Sequence, residues 1–171
     1  MKVDLPDVYN AATTFVDENI AQGRGGKIAI YYEDQKITYQ EVFEKVNRTG
    51  NALRDLGIEI ENRVLLILPD SPEFAYSFFG AIKIGAVAVP TNPWMFAKDY
   101  GYLINDSRAR AIVVHESVLP EIEKIWNNTP FLKRVIVVGA ARGKALSYAE
   151  VIANASEKLD AETTTKDDVC F

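Results

Sequence analysis

Sulfur and imidazole are almost missing from this sequence. Of its 171 residues one is cysteine, Cys170, and one is histidine, His115. A single thiol cannot form an internal disulfide, and one histidine with one cysteine cannot assemble a zinc ligand set. Long apolar runs are missing too. The longest, Ser77 to Pro90, is interrupted by Lys83 and is too short to span a bilayer. The opening Met1 to Asp7 lacks the apolar core of a secretory signal. These absences predict a cytoplasmic protein with no membrane span. Basic clusters are lacking as well: Lys and Arg number 19 against 24 Asp and Glu, a net charge of −5. Such a chain is poorly made for a phosphate backbone, so nucleic acid is an unexpected partner.

What is present is ordinary for a globular domain, with 48% apolar, 25% charged and 11% aromatic residues. The length suits one domain with a real core and part of a second. Residues 28–39 hold two β-rich runs around the polar turn Glu33-Asp34-Gln35-Lys36, which reads as a hairpin without the favoured Asn-Gly or Asp-Gly turn. Thr38 and Glu41 form a capping box, followed by Val42, Phe43, Val46, Leu53 and Leu56 at helical spacing and a stop at Gly57.

An alternation follows. Val64 to Leu68 is an uninterrupted apolar run, as expected of a strand buried on both faces. Asp70 or Ser71 is expected to cap a helix with Pro72 in its first turn, running through Phe74, Phe78, Phe79 and Ile82 to Gly85. Ala86 to Val89 then reads as a strand, Lys98 to Asn105 as a helix, and Ala111 to Val114 as a strand. Val118 to Trp126 reads as a helix with Pro120 in its first turn, Arg134 to Val138 as a strand ending at Gly139, and Ser147 to Ala153 as a helix. Short apolar strands between amphipathic helices predict an α/β fold: a mostly parallel sheet with helices on both faces, plus the N-terminal β-hairpin.

Residues 156–168 differ in kind, with five acids, two lysines and three consecutive threonines. That composition reads as a solvated linker. Val169-Cys170-Phe171 turns apolar again, like the start of another strand. The expected organisation is therefore an α/β unit over 1–155, an acidic Thr-rich linker over 156–168, and a strand opening at 169–171 that continues in a longer protein.

Several groups invite a chemical reading. Gly139 to Ala145 places two glycines and Lys144 after a strand, but only three residues separate Gly139 from Gly143, where a phosphate loop has four. Ala145 stands where a hydroxyl should hold magnesium. Gly23-Arg24-Gly25-Gly26 leads into a strand and not a helix, so it reads as an entry loop. His115, beside Glu116 at the end of a buried strand, is placed where a general base could act, yet no nucleophile motif accompanies it. Trp94, Met95 and Phe96 can line a pocket for an aromatic or acyl ligand or fill a gap between subdomains, and the second is preferred. Asp99 and Asp106 share a helix face but lack a third metal ligand. The residues by themselves give an α/β domain and name no reaction.

Particular phrases do resemble a family. Ile37-Thr38-Tyr39-Gln40-Glu41-Val42 is similar to the first block of the adenylate-forming enzymes, which include acyl-CoA and aryl-CoA ligases. Phe79-Gly80-Ala81-Ile82-Lys83-Ile84-Gly85-Ala86-Val87-Ala88-Val89-Pro90-Thr91-Asn92-Pro93 resembles their second block. Asn51 to Gly57, Arg63 to Leu68, Ser71 to Phe74 and Asp106 to Val114 are similar to the segments between and after these blocks. Tyr9 to Thr13, Gly23 to Gly25, Asp99 to Leu103 and Asn105 to Arg108 look most like the benzoate-CoA ligase branch.

The resemblance implies the N-terminal portion of an acid–thiol ligase that makes an acyl-AMP from a carboxylic acid and ATP, then a CoA thioester. It implies ATP, Mg2+ and coenzyme A for the full-length enzyme, a small carboxylic acid as partner, and none of these bound by this portion. The family's Ser/Thr/Gly-rich phosphate loop ending in Pro-Lys-Gly, its Tyr-Gly-x-Thr-Glu segment, its ribose-binding Asp and its C-terminal Lys all lie beyond Phe171. No catalytic, cofactor-binding or metal residue is therefore carried over, substrate-binding residues are open, and Tyr39, Gly80, Lys83, Gly85 and Pro90 are read as packing and turn positions. Surface left uncovered predicts self-association. Three alternatives stay open: a fatty acyl-CoA ligase or other adenylating enzyme, a small non-catalytic α/β binding module, and a flavodoxin-like nucleotide binder. A stop codon after Phe171 favours the second, and tight saturable nucleotide binding by this chain favours the third.

Overall fold

The computed structural model describes residues 5–171. A helical segment opens the chain, with a π-helical turn over Thr13–Asp17 that passes into α1 (Glu18–Ala21). The hairpin follows as expected, β1 (Ile28–Tyr32) antiparallel to β2 (Gln35–Thr38), with Ile30 opposite Ile37. Its turn is only Glu33-Asp34, and Glu33 takes φ +49°, the left-handed conformation usually supplied by Asn or Gly. The capping box opens α2 (Tyr39–Asp55): Glu41 N donates to Thr38 Oγ1 at 3.2 Å and Thr38 N to Glu41 Oε2 at 2.7 Å. Gly57 at φ +82° ends that helix as its position suggests.

The central sheet contains β3 (Arg63–Ile67), β4 (Val87–Pro90), β5 (Ala111–His115), β6 (Arg134–Val138) and β7 (Leu146–Ser147) in the spatial order β4-β3-β5-β6-β7, all parallel. The helices between them are α3 (Pro72–Lys83), α4 (Ala97–Asp106), α5 (Leu119–Ile125) and α6 (Tyr148–Ala153), and a 3-10 turn over Trp126–Asn128 extends α5. Strand pleating divides the core into two layers. Val64, Leu66, Val113 and Ile136 face α2, α3 and α6 through Leu53, Ala81, Ile82 and Ile152. Leu65, Ile67, Ile112, Val114 and Val137 face α4 and α5 through Tyr100, Ile104, Leu119 and Ile122.

Some elements differ from expectation. Ser71 stands at the start of α3, but its hydroxyl caps nothing; it is buried without a partner, and the first turn is set by Pro72 and a bond from Phe74 N to Ser71 O. Residues 156–168 have almost no regular structure, yet they are fastened down. Leu159 is buried, Asn47 Nδ2 donates to Glu157 O at 2.7 Å, and Asn51 Nδ2 donates to Ser156 O and Lys158 O. Arg48 holds Glu157 Oε1 at 2.7 Å and the carbonyls of Ala153 and Ala155. Among the described residues no helix is long and apolar enough to cross a membrane.

Candidate functional site

The order of the strands fixes where a ligand edge should lie. The chain leaves β3 on one face, through α3, to reach β4 on one side. It then returns on the other face, through α4, to reach β5 on the far side of β3. Loops after β3 and β5 therefore part in opposite directions and leave a crevice beyond the carboxyl ends of the strands, the usual ligand position in open α/β sheets. A crevice of about 350 Å³ is found there, lined by Pro69, Pro93, Trp94, Met95, Ser117, Val118 and Glu121.

Its walls are braced from below. The Tyr100 hydroxyl accepts from Met95 N at 3.1 Å and donates to Asn92 O at 3.1 Å, and Trp94 N donates to Asn92 Oδ1 at 2.8 Å. Burial pushes the Tyr100 phenol up, so it stays a neutral donor. Glu121 Oε2 accepts Ala97 N at 3.0 Å, and its other oxygen pairs with Lys124. The Lys124 ammonium first, and then the Ala97 amide, hold the Glu121 carboxyl below the ordinary carboxylate range. Trp94 and Phe96 are 81% and 76% exposed, so they fill no gap among the described residues; only Met95 reaches the core. Tyr100 occupies the space beneath the loop, and the Trp94 and Phe96 rings are turned outward from this unit.

The other sequence candidates separate. His115 Nδ1 lies 2.8 Å from Ser117 Oγ and accepts the Ser117 N–H at 3.3 Å, so the imidazole is bound by its own turn. Glu116 points away from it: its carboxylate takes Ala140 N and lies over Gly139. Gly139 has φ +102°, and a Cβ there would meet that carboxylate at 2.6 Å. The loop that superficially resembles a phosphate cradle thus already holds an anion of the protein itself. In the Gly23–Gly26 loop, Gly25 O accepts Gln40 N in the first turn of α2, and Arg24 Nε is bound to Asn19 Oδ1 at 2.8 Å. Asp99 and Asp106 are both on α4, and no group of three or more His, Cys, Asp or Glu able to hold a metal occurs among the described residues.

The positions with family likeness have structural partners. Lys83 is 1% exposed, with Nζ 2.5 Å from Asp17 Oδ1 and 2.7 Å from Asn47 Oδ1, above the Phe43 ring. Gly80 lies against Gly50 where α3 crosses α2, and Gly85 takes φ +74° at the turn into β4. The crevice residues Pro69, Ser117, Val118 and Glu121 went unmarked in the sequence; the signal was their position just after β3 and β5.

Residues 17–171 match the family described as AMP-binding enzyme. This chain belongs to that family. Among curated AMP-binding relatives, the 4-hydroxybenzoate–CoA/benzoate–CoA ligase of Rhodopseudomonas palustris is 40% identical over 95% of this chain and 30% of its own length. The benzoate–CoA ligase of Thauera aromatica is 38% identical over 99% of this chain and 32% of its own length. Among solved structures, the anthranilate CoA ligase AuaEII in complex with anthranoyl-AMP superposes with a TM-score of 0.94 at 36% identity, covering 99% of this chain and 33% of that one. The chain thus spans about a third of the length of the relatives it matches.

Proposed function

We propose that this chain is the N-terminal part of a carboxylic acid:CoA ligase acting on benzoate or a related aryl acid, with a cytoplasmic location. The observation that carries the reading is the near-complete alignment, at 38–40% identity, with two ligases named for benzoate. In such a reaction a carboxylate oxygen attacks the α-phosphorus of ATP and pyrophosphate leaves, giving an acyl-AMP. The CoA thiolate then attacks the acyl carbon and AMP departs with the bonding electron pair. A carboxylate must be activated in this way because its own oxide is a poor leaving group. The charge that gathers at phosphorus calls for donors and cations, and we assign those, with ATP, Mg2+ and coenzyme A, to residues outside this chain. Residues 1–155 serve as a scaffold subdomain and present one wall of the ligand edge, 156–168 strap it, and 169–171 lead into the next strand.

Carboxylate-dependent exchange of pyrophosphate into ATP tests this directly. The product of the full reading frame should exchange with benzoate faster than with a cyclic acid, a fatty acid or acetate, and the 171-residue chain should not exchange at all. Acetate matters because an acetyl-coenzyme A synthetase of Bacillus subtilis is 34% identical over 93% of this chain. No exchange with any acid would overturn the ligase reading, and a preference for acetate or fatty acids would overturn the aryl assignment.

A further inference from the structure

The turn that carries Trp94 is held by side chains at four successive backbone N–H groups. Trp94 N donates to Asn92 Oδ1 at 2.8 Å and Met95 N to the Tyr100 hydroxyl at 3.1 Å. Phe96 N donates to Asp99 Oδ2 at 3.4 Å and Ala97 N to Glu121 Oε2 at 3.0 Å. Asn92 and Asp99 are exposed, so water competes for their bonds. Tyr100 is fully buried, and it alone spans the turn. Pro93 and Trp94 form the tip, with Asn92 and Met95 at the base. An ordinary closed turn joins its base directly, from the fourth N–H to the first carbonyl. Here the phenol is inserted between the two, accepting from Met95 N and donating to Asn92 O, each at 3.1 Å.

Packing alone does not call for that hydroxyl. A phenylalanine would fill the same space beside Ile104, Leu119 and Ile122, and a buried hydroxyl is costly unless it is bonded. Both of its bonds go to the turn. What the turn presents is the Trp94 ring, exposed and part of the crevice wall. A ring fixed in advance is suited to binding, because its freedom is lost at folding and not when the ligand arrives. The first amides of α4 are taken by Asp99 and Glu121, so the turn offers a ring and not an anion site.

We propose that Tyr100 is a positioning residue of the ligase reaction: by closing the Asn92–Met95 turn it holds the Trp94 indole at the crevice, where the indole stacks a flat ring of a substrate. The proposal rests on the ligase reading above. Benzoate, ATP and coenzyme A each carry such a ring, whatever residues hold their charged groups, and the arms of the test separate them.

Tyr100→Phe in the product of the full reading frame keeps the ring and its packing and removes only the bridge. Hydrogen exchange at the Met95 amide should become about tenfold faster. With benzoate, ATP and coenzyme A varied in turn, KM for one of them should rise about tenfold while kcat stays nearly unchanged, which marks lost binding and not lost chemistry. Trp94→Ala should raise the same KM. Because Tyr100 acts through Trp94, adding Tyr100→Phe to Trp94→Ala should change that KM no further. Unchanged KM for all three, a fall in kcat alone, effects that simply multiply, or a Met95 amide exchanging at the wild-type rate would each overturn the proposal. A product that activates no acid removes the ligase reading and this proposal with it, while faster exchange at Met95 would still keep the bridge as a structural feature.

Discussion

Lys83 illustrates how much one side chain can be asked to do. Its ammonium is buried among α2, α3 and the N-terminal turn, and Asp17 neutralises it while Asn47 Oδ1 accepts a second hydrogen bond from it. Removing one partner strands a charge, which costs more than removing the pair. Asp17→Ala is therefore expected to lower stability by about 3 kcal/mol, near the lower end for such pairs because Asp17 keeps some contact with water. Lys83→Met should cost clearly less; urea denaturation of both variants checks the order. Thr38 and Glu41 supply a smaller, surface effect. Thr38→Ala should cost about 1 kcal/mol. The Thr38 amide, then its hydroxyl, holds the Glu41 carboxyl below its ordinary value of 4.5. A depressed carboxyl stabilises the fold above that value and loses its effect as pH falls below it. The hydroxyl's share of that effect is lost in Thr38→Ala, so the stability difference between wild type and variant should shrink modestly on acidification through that range, and a difference constant down to strongly acid pH would refute the hydroxyl–carboxylate bond.

Helices α2 and α3 approach closely because two glycines meet. A Cβ on Gly80 would lie 3.1 Å from Gly50 N, and one on Gly50 would lie 2.4 Å from Leu159 Cδ2 and 3.1 Å from Gly80 O. Gly80→Ala gains helix propensity of about 1 kcal/mol yet should still destabilise, because overpacking against backbone costs roughly 1–3 kcal/mol. Gly50→Ala should be partly rescued by Leu159→Ala, and a thermal melt of the double variant against each single one measures the coupling. The regular elements from β1 to α6, apart from β7, were legible because Val64 to Leu68, Ala111 to Val114 and the Leu53–Leu56 stripe obey the strand and helix periods. The N-terminal helical segment was not, since Thr13, Thr14 and Val16 are β-branched and weaken a helical reading. Its only signal was the spacing of Ala12, Val16 and Asn19, which are buried. β7 is two residues long and owes its existence to β6 beside it. The ligand edge was half legible: Trp94 to Phe96 stood out, but their outward orientation depends on Tyr100, six residues from Trp94 and buried beneath the loop.

For the whole molecule the uneven distribution of apolar surface decides behaviour in solution. Phe15, Ile60, Val169 and Phe171 are exposed along one edge, next to a strand with an open side. Such an edge invites pairing with another copy. Sedimentation velocity on the 171-residue chain should show concentration-dependent association, weakened by Val169→Lys with Phe171→Asp, whereas a monomer at all concentrations would refute it. The far end of the chain has a different property. Tyr9 N donates to Thr164 O, Thr164 Oγ1 donates to Tyr9 O, Lys166 pairs with Asp7, and Asn10 Nδ2 donates to Ile82 O and Glu162 O. The beginning of the described chain is thus tied to its end, across more than 150 residues of sequence. Closing so long a loop is entropically late. On a ribosome, residues near Tyr9 emerge first but have no partner until Thr164 and Lys166 are synthesised, so the module is locked only by the last part of itself to be made.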